Sequence, residues 1–191
     1  MTKNRLEAFS DGVIAIIITI MVLELKVPHE ASWRGLIPLA PVFLSYLLSF
    51  VYIGIYWSNH HHLLQAVKHV DGRVLWANLH LLFWLSLVPF VTGWMGENNF
   101  AAGPVSLYGV VMLFASIAYF ILARLLVSLH GRDSVIGVAL GRDFKGKIST
   151  ATYLAAVLLA FFRPWIACAL YVLVALMWLV PDRRIEKKIT E

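Results

Sequence analysis

The chain reads as an all-α membrane protein that crosses the bilayer six times. Composition is the first ground: 60% of its 191 residues are hydrophobic and only 14% are charged. Its mean hydropathy is +0.78, far from the balance of a soluble domain. The apolar residues are also gathered into runs of roughly membrane-crossing length, separated by short segments carrying Pro, Gly and charge. Seven Trp, seven Tyr and eleven Phe are many for this length, as aromatic belts at two membrane surfaces require.

In order, the first span covers 5–27 and is ended by Lys26 and Pro28. The second covers 34–63, after Trp33-Arg34-Gly35, with Pro38 and Pro41 in its first turns, where the missing N–H is tolerated. The third runs over 72–95, from Asp71-Gly72 to Gly93-Trp94-Met95-Gly96. The fourth covers 104–129, with Pro104 at its start. The fifth, 147–161, is short for a crossing. Arg163-Pro164 turns the chain into the sixth, 164–180, which Pro181 stops. Residues 1–191 thus form one transmembrane domain without internal repeats, and 130–146 is the longest loop. No cleavable leader is expected, because an acidic residue precedes the first apolar run and no small-residue cleavage site follows it.

The net charge of +5 describes topology, not nucleic-acid binding, because the basic residues sit between apolar spans. With the N-terminus inside, the inner segments carry twelve Lys and Arg, among them Lys3, Lys68, Arg73, Arg132, Arg142, Lys145, Lys147, Arg183, Arg184, Lys187 and Lys188. The outer loops carry three, Lys26, Arg34 and Arg163. That asymmetry places both termini in the cytoplasm.

The first span opens with Arg5, Glu7 and Asp11. A charge at membrane depth costs about 2.5 kcal/mol or more unless paired or wetted. Asp11 lies about a turn deeper than Glu7. It either pairs in the interfacial first turn, where the helix dipole favours an anion, or ties helices together. At 3.6 residues per turn, Arg5, Phe9, Gly12, Ile16, Leu23 and Val27 fall on one stripe, with Thr19 and Ile20 beside it. Ser10 and Asp11 point away from it. Periodicity leaves lipid, another helix or a pore open as the surroundings of the aliphatic stripe.

His60, His61 and His62 are consecutive, so on a helix they diverge and do not converge on one metal. With His69 and His80 nearby in sequence, a metal site stays open as an alternative to an interfacial polar cluster. Asn78 and His80 lie within an apolar span and need hydrogen-bond partners there. A network joining Ser10 and Asp11 to Trp57, Asn78 or His80 supplies them. The lone Cys168 excludes an internal disulfide and any cysteine-based metal site. No nucleophile elbow, HExxH or phosphate-binding glycine loop is present, so no enzyme is expected. The filter sequence of ordinary potassium channels is also missing.

Arg5-x-x-x-Phe9-Ser10-Asp11 at the head of the first span resembles the signature of the transmembrane-protein-175 family, the endolysosomal potassium channels and their prokaryotic relatives. The resemblance continues through Leu23-Glu24-Leu25-Lys26-Val27-Pro28, Tyr56-Trp57, His60-His61-His62, and Asn78 to Pro89-Phe90. It implies a prokaryotic form with one six-span unit per subunit, assembling as a homotetramer in the cell membrane. The first helix of each subunit would then line a central pore. By position, Ile16, Ile20 and Leu23 would form the constriction and Thr19 a polar ring bearing on selectivity. Arg5, Phe9, Ser10 and Asp11 would be structural, with Trp57, Asn78 and His80 as their partners. The implied function is a weakly selective leak of K⁺ and other monovalent cations, with no cofactor. The competing reading is a proton- or metal-coupled transporter built on His60, His61, His62 and His80, although the repeats and broken helices of such transporters are not evident.

Overall fold

The computed structural model describes residues 2–141 and 144–179, and these are helical apart from turns and short connections. Arg142, the end of the sixth span at residue 180, Pro181 and the basic residues 183–188 lie outside the described residues. Helix α1 (Lys3–Met21) continues into one 3-10 turn, Val22–Glu24. It therefore stops short of Val27. Leu25 is already extended, and Lys26 reaches across to Glu97 at 2.7 Å. A 3-10 stretch, Trp33–Leu39, leads into α2 (Ala40–Gln65).

The expected third span is helical from end to end but made of two pieces, α3 (Gly72–Ser86) and α4 (Val88–Glu97). Pro89 explains the break, because it has no N–H to donate and its ring crowds the carbonyl of Leu85. Asp71 caps α3, its Oδ1 accepting the Val74 N–H at 3.0 Å. That bond, with Arg73 beside it, holds the Asp71 carboxyl below its usual pKa. Helix α5 (Ala102–His130) is the longest. The loop expected over 130–146 contains a short helix, α6 (Val135–Leu140), capped by Ser134. Helix α7 (Phe144–Ala160) begins three residues earlier than expected, and α8 (Pro164–Leu179) follows after a tight turn.

Four stretches are long and apolar enough to cross a membrane: Lys3–Glu24, Trp33–Gln65, Gly72–Glu97 and Ala102–His130. Helices α7 and α8 form a shorter hairpin against α5, while α1 lies across α2, α3 and α4. The core between them is apolar, with a few internally bonded hydroxyls. Ser49 lies 2.7 Å from Thr92 and 3.2 Å from the Tyr108 hydroxyl. The Tyr171 hydroxyl donates to Val105 O at 3.0 Å. Such pairing is required where no water reaches.

Gly96 sets how closely α4 approaches α2. A Cβ there would fall 2.6 Å from Val42 Cα and 2.5 Å from Ser45 Oγ. Backbone cannot yield as a flexible side chain does. Gly96→Ala is expected to lower stability by about 1–3 kcal/mol, despite alanine's better helix propensity. Thermal unfolding of the detergent-purified protein checks this against Gly54→Ala, whose added Cβ meets nothing within 4 Å.

Candidate functional site

Helix α1 has two unlike faces. Leu6, Ser10, Ile14, Ile17 and Met21 are buried against the rest of the subunit. The opposite face carries Arg5, Phe9, Gly12, Ile16, Thr19, Ile20 and Leu23, and all are exposed. Ile16 is 58% exposed, Ile20 43% and Leu23 74%. The rise of a helix places these three about 4.5–6 Å apart along the axis, about one level per turn. Between them the Thr19 hydroxyl donates to its own backbone, with Ile16 O at 2.9 Å and Ala15 O at 3.1 Å. Its hydrogen is therefore occupied, while its oxygen lone pairs remain open toward the uncovered side.

The buried face is anchored by a polar knot joining three helices. Ser10 Oγ donates to Leu6 O at 2.8 Å and accepts from Asn78 Nδ2 at 2.9 Å. This leaves Asn78 Oδ1 as an acceptor, and His60 Nε2 lies 2.7 Å from it. His60 must therefore carry its proton on Nε2. In the neutral ring Nδ1 is then a bare acceptor, buried without a partner among the described residues. Ser10, Asn78 and His60 are each fully or almost fully buried. Each lies roughly 7–11 Å along its own helix from the same end of the bundle, by the 1.5 Å rise.

Two further links flank the knot. Trp57 Nε1 donates to Asp11 Oδ1 at 3.1 Å, so Asp11 is tied to α2, in the third turn of its own helix and not in the first. His61 Nδ1 lies 2.9 Å from Glu7 Oε1, and Gln65 Nε2 lies 2.8 Å from His61 Nε2. Gln65 donates an amide hydrogen, which places the His61 proton on Nδ1, toward the Glu7 carboxylate. The histidine run is thus divided: His60 faces inward, His61 faces Glu7, and His62 is half-buried. No group of three metal-ligating side chains is found among the described residues.

His80 requires a correction, because among the described residues its hydrogen bond goes to its own helix and not to the first. Its Nε2 accepts from Trp84 Nε1 at 2.9 Å, one turn along its own helix. Two residues on a helix are about 200° apart, so His80 points away when Asn78 points inward. Arg5 and Phe9 also lie outside the knot, on the uncovered face one turn apart. His60 and the Glu7–His61 pair were not among the expected partners. The sequence carries a signal for Glu7, which lies three and four residues before Ser10 and Asp11 and so shares their side of the helix.

Residues 5–89 match the family model described as "Endosomal/lysosomal potassium channel TMEM175". A protein of Chryseobacterium sp. (strain P1-3) named as a potassium channel is 56% identical over 191 residues, covering 100% of both chains. A potassium channel of Chamaesiphon minutus is 32% identical over 180 residues, covering 86% of this chain and 87% of its own. A crystal structure described as a lysosomal potassium-selective channel TMEM175 homolog from Chamaesiphon minutus matches with a TM-score of 0.81 and 29% identity. That match covers 93% of this chain and 96% of the other. With 56% identity to one relative along the whole of both chains, a family match on the segment that holds the polar knot, and the same fold along nearly the whole chain, this protein belongs to the TMEM175 family.

Proposed function

We propose that this protein is a K⁺-permeable, weakly selective leak channel whose pore is lined by α1 from four copies of the chain. The observation that carries the reading is the uncovered α1 face, with aliphatic side chains at successive turns and one oxygen level among them. Family membership places the chain among ion channels, not enzymes. Ile16, Ile20 and Leu23 form the narrow levels. A narrow aliphatic ring sheds water, and an ion within it loses hydration without replacement. Conduction requires the ring to widen and wet. Because no cage of carbonyls substitutes for the hydration shell, discrimination between K⁺ and Na⁺ is modest, and the Thr19 oxygens are its source.

The knot around Ser10 and the Asp11–Trp57 bond serve a different purpose, namely to fix the rotation of α1 so that the stripe faces the axis. The subunit crosses the membrane of a prokaryotic cell six times, by α1, α2, the α3–α4 pair, α5, α7 and α8. Loop charges put both termini in the cytoplasm. Permeation needs no cofactor, and K⁺ is the permeant ion.

The test is flux from liposomes holding purified protein under a K⁺ gradient, then under a Na⁺ gradient. Non-saturating flux of both ions, larger for K⁺ and unaffected by an imposed pH gradient, is expected. Thr19→Val keeps the shape and removes the oxygen, and should bring the two fluxes toward equality. Flux that saturates and requires a proton gradient would overturn the channel in favour of coupled transport.

A further inference from the structure

Away from α1, the crevice between α5 and α7 has a basic chamber continuous with an apolar groove. The chamber has a volume of about 860 Å³ and is bordered by Arg124 of α5, Arg132 of the following turn and Lys147 of α7. The groove, of about 350 Å³, is bordered by Ile117, Phe120 and Leu154. Phe120 and Lys147 border both spaces. Arg132 lies just past the end of α5, and inward along that helix come Arg124, Phe120 and Ile117; on α7 the order is Lys147, then Leu154. Charge therefore gives way to hydrocarbon along the crevice, from the end of the bundle where α2 ends toward its middle. The Lys68 N–H donating to His130 Nε2 at 3.2 Å fixes that end.

Among the described residues the cations are poorly matched. None of the three is in an ion pair among the described residues. Arg124 instead lies over the Phe120 ring, 5.7 Å from its centroid, and is exposed. It sits six residues before the end of α5, or about 9 Å down the helix. A guanidinium at that depth on a membrane-facing surface needs an anion or a path to the headgroups.

We propose that this crevice binds an anionic phospholipid, its phosphodiester held by Arg124, Arg132 and Lys147 and one acyl chain laid along Ile117, Phe120 and Leu154. Guanidinium groups suit phosphate oxygens because their paired N–H donors match two oxygens at once. The three cations come from three different parts of the chain, so a phosphate among them would brace α7 against α5. Basic pockets between transmembrane helices are suited to lipid headgroups for the same reasons.

Native mass spectrometry of the purified protein with equal phosphatidylglycerol and phosphatidylcholine tests this. Retention of phosphatidylglycerol over phosphatidylcholine is expected. It should fall about tenfold in Arg124→Gln, the scale of one lost charge-assisted hydrogen bond, and less in Arg124→Lys. Arg34→Gln, at the other end of the bundle, should leave it unchanged. Excess inorganic phosphate should compete only weakly if the acyl chain contributes, whereas full displacement would reassign the chamber to free phosphate. Equal retention of the two lipids, or undiminished preference in Arg124→Gln, would overturn the site. Loss of the oligomer with lipid retention unchanged would assign the cations to a neighbouring subunit. If the variants fail to fold, photoactivatable phosphatidylglycerol on the native protein decides. Crosslinks within 117–128 and 147–154 support the site, and crosslinks confined elsewhere sink it.

Discussion

Ile16→Asn is expected to raise the leak current of reconstituted protein by about tenfold or more, and Leu23→Ala to raise it by a smaller factor. The barrier at an aliphatic ring is the loss of ion hydration. In the proposed four-subunit pore, one carboxamide from each copy at the Ile16 level would return oxygen and nitrogen dipoles to that ring and keep it wet. Each reduction of the barrier by about 1.4 kcal/mol multiplies the rate tenfold, so even partial wetting is a large effect. Leu23→Ala widens the ring without adding dipoles, which is why its gain is smaller. Leu158→Ala, on the exposed outer side of α7, is the control and should change nothing. Planar-bilayer recording measures all three. Unchanged current and selectivity in both α1 variants would remove Ile16 and Leu23 from the pore.

Asn78→Ala is expected to destabilise the folded protein by about 2–4 kcal/mol, chiefly by leaving the buried His60 ring with no partner on either nitrogen. Ser10 suffers less, since it keeps its bond to Leu6 O. If the knot is structural, His60→Leu should suppress much of the damage, because the apolar pair leaves no buried group unsatisfied. Thermal unfolding of the two single variants and the double variant measures this coupling. Current per folded channel should stay near the native value in the double variant. A double variant that folds well but conducts differently would move the knot into the conduction path.

Much of the fold was legible because its signals are local. Apolar run length marks the long helices, prolines and glycines mark their ends, and the 3.6-residue period separates the two faces of the first helix. The break at Leu87 and the short helix at Val135–Leu140 were less legible. Pro89 sits inside an apolar run that is helical on both sides, so hydropathy passes over it. Short helix α6 depends on the Ser134 cap and not on a long periodic pattern.

The polar partners divide along the same line. Asn78 had to find something to bond, and the first helix offered Ser10, so that pairing could be reasoned from cost alone. His80 appeared equivalent in composition but lies on the opposite side of α3, where Trp84 satisfies it. His60 became the third member of the knot only because α2 is turned to present it to Asn78.

The sequence alone determined that this is a helical membrane protein of the channel type, that Ile16, Thr19, Ile20 and Leu23 share one side of α1, and that Ser10 and Asp11 oppose them. The channel type rests on the resemblance carried by Arg5-x-x-x-Phe9-Ser10-Asp11; the sidedness of the first helix follows from spacing along one helix, which needs no knowledge of its neighbours. The tertiary structure alone decided which helix meets each polar group, which stripe stays uncovered by its own subunit, and where α5 and α7 leave a basic crevice. Those outcomes depend on how helices rotate and pack against one another, and contacts between residues far apart in the chain set that rotation.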